Sequence, residues 1–391
     1  MDKGSFMKIT FITNHYYPEI SIASNRMQDL INYFKLKGYE VSLIDLSERG
    51  KVLKDRIKES GVYRIIPNFL KVIYRFYEDI KIIRRIKNTN ISNFNNSVIY
   101  ISLPPIFLTI FVRYFNDNNI LVAEYRDVVY RSELIRKENG YLVAILMNYF
   151  DKKYIKYYKG FVFLNENIKK HYSLFLAERN EKINNGLINY NWFVKGNIPK
   201  KSYSTKGSNV ITIVYAGSFY GSRVPFEIFN YFENQIKLKI FFKIYGKMTS
   251  DIKGRIKMMK LDYIKIKIFN FLPRDELIDV ISKSSANLLI THKYGSEYAI
   301  PGKLFDYIGA RRPIIAFSND PLVRKIIKDY NLGICLNRNI DEISLTETKY
   351  LGEYLANINR KKIISNVVNK FSYNYRMQVL EKYLVNLRNM G

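Results

Sequence analysis

The segment 297–313, EYAIPGKLFDYIGARRP, sets a lysine and a carboxylate three residues apart at the start of a helical pattern. Pro301 and Gly302 read as the helix start, with Lys303 in its first turn and Asp306 about one turn further in. A helix start offers unpaired N–H groups and the positive end of a dipole, which together suit a diphosphate. Lys303 would add a charge there, and Asp306 could accept hydrogen bonds from a ribose diol. The same residues also fit an ordinary amphipathic helix with Leu304, Phe305 and Ile308 in a core. A second pair, Arg126 and Asp127, follows a short apolar run at 120–124. At a strand end Asp127 could bind or deprotonate a hydroxyl and Arg126 could hold a phosphate, although a surface ion pair would use the same residues. Of the three histidines, His15 lies in the first loop and His292 just after an apolar run, and neither has metal-ligand spacing to His171. With one cysteine, Cys335, and no Asp-x-Asp motif, neither a disulfide within the chain nor a metal is expected.

The elements that must carry these groups repeat one theme. Residues 8–13 (KITFIT) form an apolar, β-branched run, Met27, Leu30, Ile31 and Phe34 follow at helical spacing, Gly38 ends that helix, and 41–46 reads as a second strand. Further strands are predicted at 97–102, 120–124 and 161–164. After a polar, basic stretch at 196–208 the pattern restarts at 210–215, 239–245, 264–269, 286–290 and 313–317. Helices are predicted at 303–308 and 375–388. The fold class expected is α/β, two Rossmann-like domains with parallel sheets facing across a cleft. Residues 1–195 would form the N-terminal domain, 196–208 a linker and 209–372 the C-terminal domain, with 373–391 a helix packing back on the first. Loops at the carboxyl ends of both sheets are where such folds bind ligands.

Length and composition agree with this. A chain of 391 residues fits two domains of roughly 150–200 residues. With 47% hydrophobic residues, disorder is excluded. A net charge of +28 draws the chain toward polyanions or anionic surfaces. A Lys-, Ile-, Asn- and Tyr-rich composition with Lys as a general solubiliser produces the same excess. From 48 to 87, twelve Lys/Arg stand against five Asp/Glu, with Phe69, Val72, Ile73, Phe76, Ile80 and Ile83 at helical spacing. That is the pattern of a basic amphipathic helix on a membrane surface, or of a helix packed on its own sheet. The apolar stretches 104–112 and 141–147 fall short of the ~20 residues that span a bilayer. Residues 1–7 carry no secretory pattern, so a cytoplasmic protein, peripheral at the inner face of the membrane, is expected.

The 297–313 segment resembles the donor-binding motif of the glycosyltransferase family 4-like enzymes, which runs roughly Pro-Ser-Lys-Leu-x-Glu-Tyr-x-x-Ala-Gly-x-Pro. Pro301, Lys303, Leu304, Tyr307 and Pro313 match it directly. Asp306 stands where Glu is usual, Gly302 replaces Ser, and Gly309-Ala310 inverts Ala-Gly. The family's earlier acidic residue falls on Tyr298, with Glu297 one residue off register. The opening, FITNHYYPEISIASNRMQDLINYFKLKGYEV, is similar to the family's first βαβ unit, with Glu19 in its Tyr-x-Pro-Glu and Arg26 as the helix-start Arg. Glu124-Tyr125-Arg126-Asp127 resembles an Arg-Asp pair of some members. Ile183-Asn184-Asn185-Gly186 is similar to a Pro-Asn-Gly turn, and Tyr215-Ala216-Gly217-Ser218, Tyr245-Gly246-Lys247 and Phe271-Leu272-Pro273 resemble successive strand ends of the donor domain.

The resemblance covers nearly the whole chain and implies the two-domain GT-B fold. It implies transfer of a hexose-type sugar from a UDP- or GDP-type donor to a hydroxyl of a capsule, O-antigen or lipid-linked acceptor, within polysaccharide biosynthesis. The mechanism implied is retaining and metal-independent, with no cofactor beyond the donor substrate. Gly217, Arg223, Gly246, Lys247, Leu272, Glu297, Lys303, Leu304 and Asp306 would contact the donor. Asp127 and Arg126 would be catalytic, and His15, Glu19 and Arg26 would line the acceptor side. No nucleic-acid partner is expected, since the basic residues are spread over both halves without a recognised motif. A sugar-nucleotide epimerase of similar fold, or a basic nucleic-acid-binding protein, is the alternative.

Overall fold

The computed structural model describes residues 7–16, 21–46, 95–115, 117–129, 131, 141–193, 210–219, 222–293, 298, 300–358, 363 and 365–390. Glu19, Glu297, the basic stretch 48–87 and the linker 196–208 lie outside the described residues. The chain divides into two compact units, one of Met1–Tyr190 with Met377–Gly391, the other Asn191–Arg376.

The first unit holds β1 (Lys8–Thr13), β2 (Glu40–Asp45), β3 (Ser97–Leu103), β4 (Ile120–Tyr125), β5 (Gly160–Phe163) and β6 (Gly186–Ile188), in the order β2-β1-β3-β4-β5-β6. Every pairing is parallel. β3 and β4 are buried along their whole length, which a sheet covered on both faces requires and which their unbroken apolar runs supply. The Ile22–Leu36 helix begins with a Ser21–Ser24 capping box, and Gly38 follows it at φ +86. β6, placed where a turn was predicted, escaped the sequence pattern because it has only three residues and opens on a glycine.

Residues from 377 onward complete this unit. The Tyr373–Met390 helix brings Tyr383, whose hydroxyl accepts from Phe161 N–H at 2.8 Å and donates to Asn185 O at 2.8 Å. Glu381 accepts from the hydroxyls of Tyr33 at 2.5 Å and Tyr39 at 2.8 Å. Leu387 occupies the space where a side chain at Gly160 would stand, 2.4 Å from its Cβ position.

The second unit holds β7 (Ile211–Ala216), β8 (Ile240–Tyr245), β9 (Ile264–Phe269), β10 (Ala286–Ile290), β11 (Ile314–Phe317) and β12 (Gly333–Leu336). Their order is β12-β11-β10-β7-β8-β9, again parallel, so the order reverses between β7 and β10. In doubly wound sheets that reversal marks the ligand crevice. β12 was not predicted; four residues, one of them glycine, give too short a pattern.

Gly309 does not make the turn out of its helix. It is the last residue of the Lys303–Gly309 helix, and Arg311 takes the left-handed conformation at φ +58. Glycine is needed at 309 because the Phe193 ring lies 2.5 Å from where a Cβ would be.

Candidate functional site

In the second unit a site is built where β7 and β10 part. The strands pair at Ile213–Ala286 and Val214–Asn287, and then diverge. The Ala216 N–H and Leu288 carbonyl in that gap are satisfied by one side chain. Tyr307, fully buried, accepts from Ala216 N–H at 2.9 Å and donates to Leu288 O at 3.1 Å. This fixes the Lys303–Gly309 helix over the switch point, with Leu304, Phe305 and Ile308 in the core.

Lys303 then reaches the end of β7. Its Nζ lies 3.8 Å from the centroid of the Tyr215 ring, which stacks on Phe219 at 4.2 Å. A Cβ at Gly217 would stand 2.8 Å from that Nζ, and a Cβ at Gly246 would stand 2.1 Å from Gly217 O. Both glycines have positive φ, +126 and +156, so the two strand ends close on each other and leave room for the amine. The Lys303 stem is partly exposed, but its Nζ is shut from solvent and has no hydrogen-bond partner among the described residues. Burial first, and then the charge of Arg223, hold its pKa well below the usual lysine range.

A second buried cation stands behind the first. Arg338 is 0% exposed, and its Nε donates to Thr291 O at 3.0 Å. Its Nη2 donates to Ser222 O at 2.6 Å and Val224 O at 3.2 Å. Arg338 therefore ties the segment bearing Arg223 to the end of β10. His292 Nδ1 lies 3.3 Å from Ser222 Oγ. Burial, then Arg223 and Arg338, lower the pKa of His292, favouring neutral imidazole. A carboxylate near this group among the described residues is Glu227, half-exposed, 3.7 Å from Arg338 Nη1 and shared with Lys293 at 2.9 Å. Positive charge concentrated this way in a low-dielectric site favours an incoming anion, and backbone carbonyls and a ring face only partly offset its desolvation.

The structure thus gathers Gly217, Gly246, Arg223 and Lys303, with Asp306 half-buried on the same helix. Lys247 is exposed just past β8, and Leu272 is half-buried beyond β9 beside the exposed Phe271. Two expectations are corrected. Leu304 is 0% exposed and packs in the core, so it offers a ligand no surface. The helix start also offers fewer unpaired amides than expected: Leu304 and Phe305 N–H donate to Pro301 O at 2.9 Å and Gly302 O at 3.1 Å. The side-chain cations Lys303 and Arg223 add positive charge there.

In the first unit, Arg26 is likewise corrected, because it faces inward. It is 2% exposed, with Nε 2.8 Å from Glu124 Oε1 and its other nitrogens donating to Tyr190 O at 3.1 Å and Asn189 O at 3.2 Å. Glu124, also accepting from Tyr100 at 2.7 Å and Ser102 at 2.8 Å, keeps a pKa below the usual range despite burial, mainly through Arg26. His15 follows β1, half-buried, with its N–H on Thr13 Oγ1 at 3.0 Å. Arg126 follows β4, and its guanidinium donates to Pro104 O.

Asp127 has an exposed side chain, yet the protein around its carboxyl raises its pKa to about 6 against the opposing pull of Arg126. The exposure tempers that rise and keeps the group within reach of a substrate. Behind it, buried Asp151 accepts from Tyr125 at 2.7 Å and Tyr172 at 2.8 Å, and burial raises its pKa to about 7. Sequence reasoning missed Arg338 and Asp151. Arg338 follows the unrecognised β12, and Asp151 carries no motif, only a lone carboxylate in a run of aromatics.

Two parallel sheets of this kind, the second with its order reversing at the Lys303 site, define the GT-B fold of paired Rossmann-like units. No protein-family model and no curated protein matches the chain. Among solved structures, the chain is similar to a glycosyltransferase from Rickettsia africae, with a TM-score of 0.62, 14% identity, and 99% of this chain and 100% of that one covered. It is similar to Anabaena HepE in complex with UDP and glucose, with a TM-score of 0.62, 10% identity, and 97% and 100% covered. The lipopolysaccharide outer core galactosyltransferase WaaB, with a TM-score of 0.58 and 12% identity, is covered to 99% by 97% of this chain.

Proposed function

We propose that the protein is a glycosyltransferase that moves a hexose-type sugar from a nucleoside diphosphate sugar to a hydroxyl of a surface-glycan or lipid-linked acceptor. One observation carries this reading: the buried Lys303 Nζ, without a hydrogen-bond partner among the described residues, beside Arg223 at the β7–β10 switch. The complex of HepE with UDP and glucose supports a nucleotide-sugar donor. As the anomeric C–O bond breaks, negative charge grows on the leaving diphosphate. Lys303 and Arg223 stabilise it from fixed positions, which is the main catalytic device available.

Asp306 takes the ribose hydroxyls, Lys247 and Leu272 the outer parts of the nucleotide, and Glu297 the sugar. Asp127 orients or deprotonates the acceptor hydroxyl, with Arg126 next to it in the chain, and His15 and Glu19 serve the same side. The reaction runs with retention and without a metal. The protein works in the cytoplasm at the inner membrane face, and nucleic acid is not its partner.

Thermal unfolding with uridine, guanosine and adenosine diphosphates, NAD and an oligonucleotide tests the proposal. One diphosphate should raise the melting temperature in wild type and much less in Lys303→Met. A rise with NAD or the oligonucleotide alone would overturn it.

A further inference from the structure

One helix of the first unit turns an uncovered aromatic face outward. Along Tyr141–Tyr154 and the following turn Ile155–Tyr157, the exposed side chains include Tyr141 (67%), Ile145 (47%), Tyr149 (52%) and Tyr157 (47%). Tyr141, Ile145, Tyr149 and Lys152 fall on one helical stripe. Lys152, Lys153, Lys156 and Lys159 are all exposed around it, and Arg113 adds a fifth cation, 5.9 Å over the Tyr154 ring. The acid in this stretch, Asp151, is fully buried on the opposite face. The outer surface therefore combines apolar and phenolic groups with positive charge and no exposed carboxylate of its own.

We infer that this face docks on an anionic bilayer surface. The inference rests on the lipid-linked form of the acceptor proposed above. Tyrosines suit the boundary between headgroups and acyl chains, and lysines there reach lipid phosphates with their stems along apolar surface. Nucleic acid fits worse, because the rings it would stack on are already engaged. Lys153 sits 5.1 Å over Tyr149 and bonds its hydroxyl at 2.8 Å, and Lys156 sits 5.4 Å over Tyr157. A protein partner fits worse too, since lysine is depleted from such interfaces.

The inner face of the same helix is fastened to the acceptor loop. Asp151 holds Tyr125, the last residue of β4 before Arg126 and Asp127. Asn148 Oδ1 accepts from Arg131 N–H at 2.9 Å, just past that loop. A bilayer against the outer face therefore meets the element that holds the segment bearing Asp127.

Co-sedimentation of the full chain with phosphatidylcholine vesicles, with and without phosphatidylglycerol, tests this. Wild type should sediment only with the anionic vesicles. Lys152→Glu/Lys153→Glu/Lys156→Glu should lower partitioning by about tenfold or more, since each charge near anionic lipid contributes. Ile145→Asp should lower it several-fold. All four positions are exposed, and an unchanged melting temperature of each variant checks that it is folded. Lys253→Glu/Lys257→Glu/Lys260→Glu, an equal change of charge on the second unit, should lower it less than about twofold if the helix face rather than net charge governs binding.

An equal loss in that control, no sedimentation of wild type, or oligonucleotide binding in place of vesicle binding would overturn the inference. The melting-temperature rise with nucleoside diphosphate should be unchanged in all these variants. The donor reading therefore stands or falls separately.

Discussion

Replacing Lys303 by methionine separates binding from stability at one atom. The stem is kept and the Nζ is lost, an amine that is buried, held below its usual pKa and without a hydrogen-bond partner among the described residues. At one hundred times Kd a nucleoside diphosphate stabilises the wild type by about 2.7 kcal/mol. For a domain of this size that is roughly 5–11 °C in Tm. A hydrogen bond to a charged group contributes about 1.5–3 kcal/mol, so its loss raises Kd about 10- to 150-fold. At the same ligand concentration the stabilisation falls to about 0.3–1.3 kcal/mol, or roughly 1–5 °C. Without ligand the variant should melt no lower than wild type, because the ammonium is costly to bury and methionine fills the same space. Differential scanning fluorimetry with and without the diphosphate reads both numbers. An undiminished ligand shift would refute the assignment of Lys303 to the anion.

Three further outcomes follow from the same geometry. Arg338→Met should leave the carbonyls of Ser222, Val224 and Thr291 unpaired, lowering stability by about 3 kcal/mol or more in urea unfolding and weakening diphosphate binding through the Arg223 segment. Transfer rates should rise with pH through about 6 as Asp127 loses its proton, and Asp127→Asn should remove that limb along with at least about 100-fold of the rate, read in a pH–rate series. The Asp151 carboxyl, raised to about 7 from 3.8, binds its proton more tightly folded than unfolded. Its contribution to stability therefore falls as pH rises between those values, and Asp151→Asn should flatten that part of the melting curve against pH.

The sheet architecture was legible in the sequence because buried parallel strands are unbroken apolar runs. β1, β9 and β10 lie on the residues predicted, and the other predicted strands differ by one residue at one end or both. The Lys303 helix and the strand-end glycines were legible for a related reason, since a tight approach leaves few alternatives to glycine at 217 and 246. Burial of charge was not legible. Nothing around Arg26 distinguishes a guanidinium paired with Glu124, 98 residues away, from one facing solvent. Arg338 acts on Ser222, 116 positions earlier, and such long-range pairing leaves no local pattern. Leu304 matched a motif and still lies in the core, since a motif records which residues recur and not which way they face.

The first unit is closed by residues that come after the whole of the second. During synthesis β1–β6 emerge while Glu381, Tyr383 and Leu387 are still to be made, so Tyr33, Tyr39, Phe161 N–H and the Gly160 groove wait uncovered. Asn191–Arg376 carries its own sheet and can become compact meanwhile. A nascent chain halted before Met377 would therefore present one finished half and one half with its flank bare, the state in which a chaperone would find most to hold.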